Sequence, residues 1–286
     1  MTIVIAPAKI HLAQDILDQQ ADGHFLIDSV LTSVDLSDRV VLSERKDNKI
    51  ELALDSSFMT ENQHNTVYLA AKFFKKQFPL SKGVTIGIYK NIPIGSGLGG
   101  GSTDAAAVLR GLNEMNASPL NEEELVELAR KIDADAPYAL YGGTKHVFGI
   151  GEKIEPLPDI PARYVILAKP QLNVSTRMIF KKIKAEEFKY QKRNAPIVIE
   201  ALKKKDYNAF VHAVGNQLEP FLFKTYPQMA YVKEKMQKFG AEGVMVTGTG
   251  STIIGFTQNE RRAKRIVNAL KGFCDKVYLT TSLENK

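Results

Sequence analysis

The sequence predicts an α+β protein built from two domains. Three observations carry this: the first third of the chain alternates apolar and polar residues as strands do, a glycine-rich segment then separates a strand from an alanine-rich helix, and beyond residue 156 helical and strand patterns take turns. A chain of 286 residues exceeds the usual size of one compact core, so the expected domains are 1–155 and 156–286, parted where Pro156, Pro158 and Pro161 cluster.

Taken in order, Ile3, Ile5, Ile10 and Leu12 fall at strand spacing, and the stretches 39–43, 50–54 and 84–89 read the same way. Thr66 to Phe78 sets Val67, Leu69, Ala70, Phe73, Phe74 and Phe78 on a helical repeat that Pro79 ends. A second helix is expected from about Thr103 to Asn113, with Ala106, Leu109 and Leu112 inward, and a third after Asn121, where Glu124 stands three residues on in capping-box position. Tyr164 to Ala168 reads as a buried strand, and 181–193 is basic and poorly periodic. Helices follow at 197–204, 207–217 and 229–239, strands at 243–246 and 252–256, a helix at 260–270 and a last strand at 276–280.

Apolar residues make up 44% and charged residues 24%, an ordinary globular balance. No run approaches the ~18 apolar residues a membrane span needs, and the amino terminus lacks a basic region followed by a long apolar one, so a cytoplasmic protein without a membrane partner is expected. One cysteine, Cys274, excludes an internal disulfide, and five histidines without ligand spacing predict no metal site of the protein's own. A net charge of +6 suits anionic partners, and nucleotide phosphates qualify as readily as nucleic acid. Lys203 to Lys205 and Arg261 to Arg265 read as solvated helix faces, so no nucleic-acid partner is expected.

The central signal is Pro93-Ile94-Gly95-Ser96-Gly97-Leu98-Gly99-Gly100-Gly101-Ser102-Thr103. Five glycines in seven residues let main-chain N–H groups approach a ligand with no Cβ in the way. The helix that follows adds unpaired N–H groups and the positive end of its dipole, which together make an anion site for nucleotide phosphate. A P-loop would need Gly-Lys followed by Ser or Thr, and no lysine stands there. The spacing of Gly95, Gly97 and Gly100 satisfies the dinucleotide fingerprint, but Glu122 to Glu124, where a ribose-binding acid would end a strand, open a helix instead.

Lys9 and His11, two apart on a strand, project to one face. Lys9 then either offsets charge on a transferring phosphoryl group or sits exposed on an edge strand. Pro137 suits the first turn of a helix and leaves Asp135 at its amino-terminal end, as a group that orients and deprotonates an attacking hydroxyl or as a plain cap. Thr247-Gly248-Thr249-Gly250-Ser251-Thr252 is a second glycine turn between strands, either a hairpin connection or another wall of the phosphate site.

In this order, the segments Pro7 to Leu12, Pro93 to Asp104 and Thr247 to Thr252 resemble the three motifs of the small-molecule kinase superfamily of galactokinase, homoserine kinase, mevalonate kinase and phosphomevalonate kinase. Ala21-Asp22-Gly23, Val34 to Asp38, Asp133 to Pro137, Gly142 to Thr144 and Gly151 to Lys153 are similar to the members that phosphorylate a cytidylylated polyol in non-mevalonate isoprenoid synthesis. The resemblance implies an α+β amino-terminal domain with an unusual crossover, a ferredoxin-like carboxy-terminal domain, and substrate between them. It implies Lys9 and Asp135 as catalytic residues, Pro93 to Thr103 as the ATP loop, and His11, His24, Phe25 and Thr249 at the substrate. It also implies Mg²⁺ carried with ATP, a small-molecule substrate, and a monomer or homodimer. The chain departs from the family at His11 (usually Asn), at His24-Phe25-Leu26 (usually Tyr-His-Glu), at Ile150 (usually Arg) and at Ser251 (usually Pro). These changes leave the ATP end intact and fall at the substrate end. Alternatives are therefore a same-fold kinase for another small polyol or isoprenoid-related acceptor, or a nucleotide-binding homologue that has lost phosphoryl transfer.

Overall fold

A computed structural model describes residues 1–54, 65–80 and 82–284. The chain forms two compact units, one of Met1–Ala8, Leu36–Ile92 and Gly99–Gly142, the other of Lys9–Asp35, Pro93–Leu98 and Gly143–Lys286. They interleave along the chain because its first two strands, β1 (Thr2–Gln19) and β2 (Phe25–Arg45), each contribute to both. The 155/156 division expected from the prolines falls at the end of a strand of the second unit.

In the first unit β3 (Ile50–Leu54) pairs parallel with β4 (Gly83–Tyr89), and β4 pairs antiparallel with residues 39–45 of β2. The helices are α1 (Thr66–Gln77), α2 (Gly100–Met115), α3 (Glu122–Arg130) and α4 (Ala136–Tyr141). Asn65 caps α1 by accepting from the Val67 amide at 3.1 Å. At α3 the capping box forms as its sequence predicts, each side chain taking the other residue's amide at 2.9 Å. Phe74, Leu42, Ile86, Ile88, Leu109 and Leu112 form the core, with Ala105 and Ala107 allowing the sheet and helices close approach.

In the second unit β7 (Tyr164–Lys169), β9 (Glu242–Val246), β10 (Ile253–Thr257) and β11 (Lys276–Thr280) form an antiparallel sheet in the order β11-β7-β10-β9. Here the helices Pro227–Lys238 and Glu260–Leu270 bury Met229, Val232, Met236, Ile266 and Leu270 in its core. A hairpin of β5 (Lys145–Gly149) and β6 (Lys153–Pro156), not predicted from sequence, attaches to residues 27–31 of β2. Within the basic 181–193 stretch there is only a single 3-10 turn, Ala185–Glu187. The helix expected over 207–217 ends at Ala213, because Gly215–Asn216 form the short β8, parallel to Ala13 and Gln14 of β1. A side chain at Gly215 would put its Cβ 2.5 Å from the Asn194 side-chain amide oxygen, which would have to move aside.

Candidate active site

The half of the glycine loop in the second unit is held by main-chain bonds at three points. Lys9 N donates to Leu98 O at 3.0 Å, Thr252 N to Ser96 O at 3.1 Å, and Val174 N to Gly95 O at 3.5 Å. Gly97 (φ 79°) lies so close to the turn between β9 and β10 that a Cβ there would meet the carbonyl oxygens of Gly250 at 2.7 Å and Thr247 at 2.8 Å. Thr247–Thr252 is thus both a hairpin connection and a wall against the loop, two readings that spacing alone left open.

Next to it, His11 N donates to Thr247 Oγ1 at 2.7 Å, and Lys9 Nζ lies 3.2 Å from His11 Nδ1. Both side chains share the strand face that their two-residue spacing requires, and Lys9 is 5% exposed, which rules out a solvated edge lysine. Asn216, which sequence reasoning missed, donates from Nδ2 to Val246 O at 2.9 Å and to Gly248 O at 2.7 Å, fixing the turn from behind. A lone Asn-Gln pair in an apparent helix gives no sign of that duty. Thr249 Oγ1 lies 2.9 Å from Thr176 Oγ1. His24 is exposed and pairs with Asp22 at 3.1 Å, while Phe25 is buried and meets Phe180 with ring centroids 5.3 Å apart.

In the first unit Gly99 (φ 72°) turns the chain into α2, which begins at Gly100 and not at Thr103 as its sequence suggests. The last glycines of the loop are therefore the first helical turn, and their N–H groups are among those a helix leaves unpaired. Lys90 lies under that turn: a Cβ on Gly100 would come 3.0 Å from its Nζ. Lys90 pairs with Asp38 and, at 2.8 Å, with Asp104, while Asp38 Oδ1 also accepts from the amides of Asn91 (2.5 Å) and Ile92 (2.8 Å). Burial pushes the Asp104 carboxyl up to about 7 despite the neighbouring ammonium. Asp135 occupies the N-cap position of α4, yet its carboxylate makes no capping bond to that helix. Its amide donates to Asp133 Oδ1 at 3.1 Å, and the same oxygen accepts from Ser102 Oγ at 2.5 Å.

Residues 65–143 match the family description GHMP kinases N terminal domain, and residues 198–276 match GHMP kinases C terminal. Over 276 residues the chain is 42% identical to a 4-diphosphocytidyl-2-C-methyl-D-erythritol kinase of Geobacillus sp. (strain WCH70), covering 96% of this chain and 95% of that one. The chain belongs to the GHMP kinase family. A kinase of the same name from Levilactobacillus brevis is also 42% identical, over 97% of this chain and 98% of its own. Among solved structures, a 4-(cytidine 5'-diphospho)-2C-methyl-D-erythritol kinase superposes with a TM-score of 0.82 at 27% identity, covering 98% of this chain and 99% of the other. Homoserine kinase from Cytophaga hutchinsonii reaches 0.78 at 20% identity, over 99% and 95% of the two chains, and so speaks for the fold alone. As a GHMP kinase the protein is an ATP-dependent small-molecule kinase of α+β, two-domain fold.

Proposed function

We propose that this GHMP kinase transfers the γ-phosphoryl group of ATP to a hydroxyl of 4-diphosphocytidyl-2-C-methyl-D-erythritol, a step in making isoprenoid precursors. The phosphoryl-transfer half of the reading rests above all on the glycine turn at Gly99, which opens a sixteen-residue helix with unpaired amides at its start. The acceptor rests on the near-full-length identity to kinases that carry that compound's name.

In this reading the loop from Pro93 to Thr103 holds the triphosphate. Asp135 accepts the proton of the attacking hydroxyl as its oxygen bonds to the γ-phosphorus, the bond to the β–γ bridging oxygen breaks, and ADP leaves. Lys9 offsets the charge that grows on the transferred group. Mg²⁺ would come with the nucleotide, where it would neutralise charge on the phosphates. His11 and Thr249 face the acceptor in this scheme, and the enzyme works in the cytoplasm as a monomer or homodimer, with its sequence domains parted at 155/156.

One observation favours a second acceptor within the same fold. Where the family usually has Tyr-His-Glu the chain has His24-Phe25-Leu26, and of these Phe25 is buried against Phe180 while His24 is open to solvent beside Asp22. Incubating the enzyme with ATP, magnesium and a panel of acceptors decides between them. Rapid ADP release with the cytidyl compound alone is expected; equal or faster release with another polyol overturns the acceptor, and firm ATP binding without turnover on any of them overturns the activity.

A further inference from the structure

The geometry points to Asp133 as a positioning residue that fixes Asp135 relative to the start of α2, an inference that rests on the phosphoryl-transfer reading above. Its Oδ1 accepts two hydrogen bonds at once, from the Ser102 hydroxyl at 2.5 Å and from the Asp135 amide at 3.1 Å. The first has the length of a charge-assisted O–H···O⁻ bond. Its main chain is tied as well, with Asp133 N donating to Ala129 O at 3.3 Å and Asp133 O accepting from Ala136 N at 3.2 Å. Residue 133 therefore joins the end of α3, the start of α4 and the first turn of α2.

Such a strut matters because α4 is only six residues long, too short to hold its own first turn rigidly. Without Asp133 the backbone at Asp135 keeps fewer constraints just where a shift of about 1 Å can cost about 100-fold in rate. Ser102 and Asp135 lie at the two places where the reading puts phosphate and attacking hydroxyl. Asp133 sets their spacing while touching neither substrate.

The test is steady-state kinetics on Asp133→Ala, Asp133→Asn and Asp135→Ala, with active sites counted by binding of a non-hydrolysable ATP analogue. Asp133→Ala should lower kcat by about tenfold or more per folded site, with both KM values within about threefold of the parent's. Asp133→Asn, whose amide oxygen can accept the same two bonds, should recover most of that loss. Unchanged kcat in Asp133→Ala, or equal losses in the Ala and Asn variants, would overturn the inference. A normal rate in Asp135→Ala would instead overturn the reading beneath it. If Asp133→Ala does not fold, Ser102→Ala cuts the strut at its other end, and a kcat within about twofold of the parent's would likewise end the proposal.

Discussion

At the scale of single residues, Lys9 is an ammonium kept 5% exposed beside a histidine, a placement that packing alone would not favour. Lys9→Ala and Asp135→Ala should each lower kcat by about 10²-fold or more while moving the melting temperature by only a few degrees. Near-normal turnover in either would remove the role assigned to it. Asp104 gives a pH prediction. Burial raises its folded pKa to about 7, above the ~3.9 of an unfolded aspartate, so the folded state binds its proton more tightly. The stability it contributes is full below about pH 4 and is lost as the pH rises through about 7. Melts across that range should fall more steeply for the parent than for Asp104→Asn, and parallel curves would refute it. The facing of Lys9 and His11 was legible from period-two spacing, whereas the role of Lys90 was not. Its partners Asp38 and Asp104 stand 52 and 14 residues away, beyond any local pattern.

At the scale of elements, α2 carries a glycine in mid-helix, Gly111, whose use is to let the helix lie on the sheet. A Cβ there would come 2.5 Å from Leu42 Cδ1 and 2.8 Å from Val4 Cγ2. Gly111→Ala would gain up to about 1 kcal/mol of helix propensity but overpack the core by about 1–3 kcal/mol. Net destabilisation is expected in urea titrations, and a more stable variant would show that the contact relaxes freely. Capping signals served well here, because Asn121 and Glu124 act on amides within three residues of themselves. β2 served poorly: it runs 21 residues, but only 39–43 was read as strand. Its middle, Asp28 to Val34, is buried on both faces and includes Ser29, Thr32 and Ser33, so the alternation that marks a half-exposed strand is absent there.

At the scale of the whole molecule, Cys274 offers a probe of the second unit, against whose core it packs. Burial pushes its thiol up to about 11, leaving little thiolate to react. At pH 8 a disulfide reagent should modify native protein at least about tenfold more slowly than protein unfolded in urea, and equal rates would show that the site opens freely. The α+β class, the order of the three motifs and the kinase family were all legible in the sequence, since composition, periodicity and short glycine-rich words are local properties. The interleaved units were not, nor was the packing of Thr247–Thr252 on the Gly95–Leu98 segment, nor the bond from His11 to Thr247 across 236 residues. Local propensity states what each segment can become. Which distant segments meet is decided only when each unit buries its own core, because that energy belongs to the assembled contacts and to no stretch of chain by itself.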